Sequence, residues 1–192
     1  MQSDYCMMRL GFGYAVARLA EDESVPATLQ RNYAAMVINA ATEILAVEPQ
    51  HPLALSLSAA FEANVLRRVG KAAGRLTLAA DSEDATQPFK TSLTAVPDLA
   101  IVRYEYANSL LYTHQDGSAE QALTHLQKAA DMPARFAMEW LDRAYARKRL
   151  QEVRAWRDSG MSFKRFDRKR RKFMRKENIN LYAVTRPPFL VD

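Results

Sequence analysis

Apolar residues recur every three to four positions along most of this chain, a spacing that predicts helices almost throughout. Tyr5, Met8, Phe12, Ala15 and Leu19 give one apolar face to a first helix over 4–20, weakened by Gly11 and Gly13. Pro26 suits a first helical position and opens a second helix striped by Leu29, Tyr33, Met36, Ala40, Ile44 and Val47. Pro49 and Pro52 end it, and a third helix follows with Leu55, Leu57, Ala60, Phe61 and Leu66. Gly70 and Gly74 predict a turn before a short helical piece over 71–80, and the polar run 81–88 reads as a loop.

A helix over 88–96 is closed by Pro97, and 98–114 carries Ile101, Tyr104, Ala107, Leu110 and Leu111 on one face. The "QDGS" stretch at 115–118 is a turn by composition. Ser118 and Gln121 predict a capping box for a helix over 119–131 with Ala122, Leu126 and Ala129. After Pro133 one long helix is predicted over 134–157, carrying Phe136, Trp140, Leu141, Ala144, Tyr145 and Trp156. Gly160 breaks it, and a last helix over 161–177 precedes an irregular tail with Pro187 and Pro188. Only "LTLAA" and "NLYAV" look strand-like, and both are short, so the class is all-α.

Helices in short pairs prompt a search for a repeat. Ala40, Ile44, Val47 and Pro52 stand at relative positions 0, 4, 7 and 12; Ala122, Leu126, Ala129 and Pro133 stand at 0, 4, 7 and 11. These two stretches resemble the second half of a tetratricopeptide repeat, over roughly residues 27–150. The resemblance implies an α-solenoid of antiparallel helix pairs whose concave face binds a protein or peptide segment, as a scaffold or adaptor. On this view residues 1–160 form a helical repeat domain. Residues 161–192 form a basic amphipathic helix, which caps the array, and an irregular tail packed on it or extending from it.

Composition adds one decisive feature. The net charge of +5 conceals a polarity: residues 143–176 hold 15 Lys/Arg against 3 Asp/Glu, and the rest holds 12 against 19. Charge of this kind speaks of partners rather than fold. Its focus is "FKRFDRKRRKFMRK" at 163–176, with nine Lys/Arg, one Asp, three Phe and one Met. On a helix Phe163, Phe166 and Phe173 share a side, interrupted by Arg170, while Lys164, Arg165, Arg168, Lys169, Arg171, Lys172, Arg175 and Lys176 form the basic patch expected to hold a partner. That patch suits an acidic protein surface, the chain's own acidic body, or, as the alternative, nucleic-acid phosphates. A membrane surface is the weakest fit, because Arg170 interrupts the apolar stripe. A homodimer stays open, since three repeats are near the minimum for a stable solenoid.

Candidate chemistry is sparse. His51, His114 and His125 fall in separate elements without ligand-spaced carboxylates or cysteines, so no metal site is expected. "GFG" at 11–13 and "GKAAG" at 70–74 follow no predicted strand and lack the final Lys-Ser/Thr of a phosphate loop. No Ser, His and Asp stand in a nucleophile context, and neither a catalytic residue nor a cofactor is expected. Cys6, the lone cysteine, beside Met7 and Met8, reads as core packing and fits a reducing, cytoplasmic setting. The absence of a long apolar run or a leader pattern argues the same way.

Overall fold

The computed structural model describes residues 2–70 and 85–176, and every regular element within them is helical. The predicted piece over 71–80, the first half of the 81–88 loop and the tail after 176 lie outside the described residues, and Gln87 and Pro88 of that loop are already helical. The chain divides into two compact units, Met1–Pro97 and Asp98–Asp192.

The first unit holds α1 (Gln2–Asp22), α2 (Val25–Gln30), α3 (Tyr33–Val47), α4 (Pro52–Val69) and α5 (Gln87–Ala95). Ser24 caps α2 by accepting from the Ala27 N–H, with Pro26 in the first turn where its missing N–H costs nothing. The predicted second helix is in fact two, because Asn32 adopts a left-handed conformation at φ 55° between α2 and α3. Asn is among the few residues that visit that region readily. His51 caps α4, its Nδ1 accepting from Ala54 N at 3.2 Å, and Gly70 ends α4 at φ 86°.

Helices α1, α3 and α4 pack on one another around Cys6, Leu10, Val16, Val37, Ile44 and Leu57. The face of α1 that carries this core is not the predicted one: Tyr5, Met8, Phe12 and Leu19 stand exposed on another side. Cys6 is buried as expected, while Met7 and Met8 face solvent. Arg68 donates to the carbonyls of Ala20 and Glu23 at 2.8 and 2.6 Å, satisfying acceptors that the end of α1 leaves open.

The two glycines of α1 differ sharply. A Cβ on Gly13 would stand 2.8 Å from Leu57 Cδ2 and 3.2 Å from the Ala40 Cβ, whereas one on Gly11 would meet nothing within 4 Å. Gly11→Ala should therefore raise unfolding free energy by about 0.5–1 kcal/mol through helix propensity. Gly13→Leu should lower it by about 1–3 kcal/mol through overpacking. Urea titration of both variants checks the pair, and equal effects would mean that Gly13 does not pack against Leu57 and Ala40.

The second unit holds α6 (Ala100–His114), a short 3-10 turn (Gln115–Ser118), α7 (Ala119–Asp131), α8 (Ala137–Asp158) and α9 (Phe163–Lys176). Helices α6, α7 and α8 each touch the other two. Their shared core holds Ala107, Leu111, Ala122, Leu126, Ala129, Leu150, Val153 and Trp156, and Phe163 and Phe166 of α9 belong to it. Of the spaced positions that suggested a repeat, Ala40, Ile44, Ala122, Leu126 and Ala129 are fully buried and Val47 is exposed.

Two local expectations fail. Ser118 makes no capping hydrogen bond to α7; its hydroxyl turns back and donates to the Leu110 carbonyl at 2.9 Å, inside the unit. At the start of α8, Phe136, Trp140 and Leu141 are exposed; the predicted Trp156 is buried, but it shares the buried face with Ala146, Arg149, Leu150, Glu152 and Val153.

Candidate functional site

The basic helix is aimed by a tight turn. Trp156 Nε1 donates to the Met161 carbonyl at 2.7 Å, Ser159 Oγ donates to the Trp156 carbonyl at 2.6 Å, and Gly160 takes φ 63°. That positive φ is free to glycine and strained for other residues. The reversal brings Phe163 against Trp156 edge-on, ring centroids 5.0 Å apart, with Phe166 6.3 Å from the same indole. Phe163 and Phe166 are 2% and 1% exposed, so two of the three phenylalanines are spent on packing.

Arg170, which interrupts the aromatic stripe, is the second anchor. It is only 8% exposed, and its Nε donates to Glu152 Oε2 at 2.7 Å. The same oxygen accepts from Arg149 Nη1 at 2.9 Å, and Arg149 Nε donates to Asn108 Oδ1 at 2.8 Å. Helices α8 and α9 thus meet at one buried carboxylate, and α6 joins them through the Asn108–Arg149 bond. Burial pushes the Glu152 carboxyl up, but Arg170 and Arg149 more than reverse this and hold it below the usual range, ionised at neutral pH. Arg170 loses charge stability to burial and regains more from Glu152, so its guanidinium stays protonated.

The outward face is different in kind. Lys164, Arg165, Arg168, Lys169 and Lys172 are all exposed. Arg171 is half-buried and donates through Nε to Asp167 Oδ2 at 3.0 Å, one turn back. The side chains of Arg175 and Lys176 lie outside the described residues. Of the predicted basic patch, five residues therefore form one solvent-facing stripe, at i, i+1, i+4, i+5 and i+8. The stripe runs about 12 Å along the helix at about 1.5 Å per residue.

Other chemistry stays dispersed. Among the described residues no three His, Cys, Asp or Glu side chains gather to hold a metal ion, and no helix is long and apolar enough to cross a membrane. His125 lies against the Tyr106 ring, centroids 4.4 Å apart. Burial, with Arg103 and Lys128 adding positive charge nearby, brings its imidazole down to about 4.

The folded protein thus resists a proton that the unfolded chain takes up below about 6.5. Stability should be level above that pH and fall by about 1–2 kcal/mol between there and pH 4, a figure reduced for the ring's partial exposure. His125→Gln should flatten that slope in urea midpoints measured across the range, and an unchanged slope would assign it to other groups.

Sequence reasoning located the basic face but could not see the Glu152–Arg170 contact, which joins residues 18 apart on separate helices. The one available signal was Arg170 itself, a cation standing in an aromatic stripe. Comparison of the chain with models of known protein families, with curated proteins and with solved structures finds no match.

Proposed function

We propose that this chain is a non-enzymatic, cytoplasmic interaction module. Its helix pairs are tetratricopeptide-like, and α9 caps them and holds an acidic protein or peptide segment on its outer face. One observation carries this reading: five cations stand exposed on a helix whose opposite side is fixed by Phe163, Phe166 and Arg170. A solvating surface usually mixes signs, and fixed cations lose less freedom on binding than mobile ones. The buried small positions Ala40, Ala122 and Ala129, together with the close approach at Gly13, support the helix-pair part of the reading.

The alternative is a nucleic-acid backbone, and the pairing of cations at 164/165 and 168/169 favours it. Phe163 and Phe166 are buried, so they offer no platform for stacking bases and contacts would be to phosphates alone. Fluorescence anisotropy with a labelled poly-glutamate peptide and a labelled DNA duplex, at about 50 and about 200 mM salt, separates the two. Tighter binding of the peptide supports the protein-segment reading. Preference for the duplex, with log affinity falling about fourfold to fivefold as steeply as log salt rises, supports the alternative. Binding of neither would remove the basic face from the account.

A further inference from the structure

The apolar side of α1 that faces solvent has a regular spacing. Tyr5, Met8, Phe12, Ala15 and Leu19 follow one another at intervals of 3, 4, 3 and 4 residues. That is the seam spacing by which one helix packs its knobs into the holes of another helix of the same kind. The opposite side of α1 already serves the core through Cys6, Leu10, Val16 and Ala20. A helix apolar on both sides belongs between two layers, and among the described residues of the first unit α3 and α4 supply one.

We infer that α1 is a homodimerisation helix, its exposed seam covered by α1 of a second copy in a parallel, in-register pair. Two observations select that occupant. The first is area. Tyr5, Met8, Phe12 and Leu19 are 41%, 68%, 40% and 58% exposed. At roughly 200 Å² per large side chain, two copies would bury about 800 Å² from these residues. That is at the small end of interface sizes and suits a weak, reversible dimer. The second is charge at the flank. Parallel pairing sets Asp4 of one copy beside Arg9 of the other, opposite in sign. Asp4 and Arg9 also have partners inside the chain, so the flank supplies matching of sign rather than a new buried pair. Gly11, exposed beside the seam, leaves room for close approach.

Sedimentation velocity on the full chain tests this. Weight-average mass should climb from one chain towards two between about 5 and about 200 µM. Met8→Glu/Phe12→Glu should stay monomeric over that range with unchanged helical circular dichroism, because both side chains are exposed. Ala15→Cys sits on the seam and should cross-link rapidly under mild oxidation, whereas Met7→Cys, off the seam, should not; Cys6 is buried and does not compete. A wild-type chain that stays monomeric at the highest concentration, a double variant that dimerises equally well, or cross-linking through Met7→Cys instead would each overturn the assignment. Basic-face binding uses other residues and is measured separately.

Discussion

Changing Glu152 to glutamine should cost about 3–5 kcal/mol of unfolding free energy, the usual penalty for removing one member of a buried charged pair. Glutamine keeps the shape and removes the charge, so Arg149 and Arg170 lose the carboxylate that lies between them. Both are buried. Urea unfolding followed by circular dichroism gives the number from the midpoint at constant slope. The companion variant replaces the whole cluster by apolar side chains: Asn108→Leu, Arg149→Met, Glu152→Leu and Arg170→Met. It should return to within about 1 kcal/mol of the starting protein or exceed it, because desolvation of the ions is then avoided.

If Glu152→Gln unfolds at nearly the wild-type midpoint, the carboxylate is not an anchor. The pH dependence has a definite sign. The folded-state carboxyl lies below its ordinary value, so its contribution is present above about pH 4.3 and is lost as pH falls further. Glu152→Gln should remove that part of the acid limb.

The second large effect concerns binding. With Lys164, Arg165, Arg168, Lys169 and Lys172 all changed to glutamine, stability should stay within about 0.5 kcal/mol, since each is exposed. Affinity for an acidic peptide should fall about a hundredfold at low salt. Five exposed contacts at about 0.2–1 kcal/mol each span roughly fivefold to several thousandfold. The salt dependence of binding should flatten as well. A variant that binds acidic peptide as tightly as the parent would move the site elsewhere. Arg171 is left unchanged because Asp167 already holds it.

Helix existence was legible throughout the described residues, because periodicity and Pro punctuation are local signals. Direction of burial was not. The α1 seam predicted from Tyr5 to Leu19 is the more regular of two apolar faces, yet the core takes the other, where Gly13 permits contact with Leu57 and Ala40. Which face wins depends on partners distant in sequence. The same holds on α8, where charge pattern alone would place Arg149 and Glu152 outside. They are buried where Arg170 and Asn108 reach them from other helices, a fact no local window contains. Asn32 and Ser118 show the converse. A left-handed residue divided one predicted helix, and a hydroxyl chose a carbonyl eight residues back over its expected cap. At the basic helix the sequence identified the cations, while the structure separates the five exposed ones from the anchoring Arg170 and the paired Arg171.

The most direct test of the central claim is an amide chemical-shift map of ¹⁵N-labelled protein titrated with poly-glutamate peptide. The account predicts that the largest shifts fall along Lys164–Lys172 on α9, and that added salt reverses them. Largest shifts in the first unit, or no shifts at saturating peptide and low salt, would contradict it.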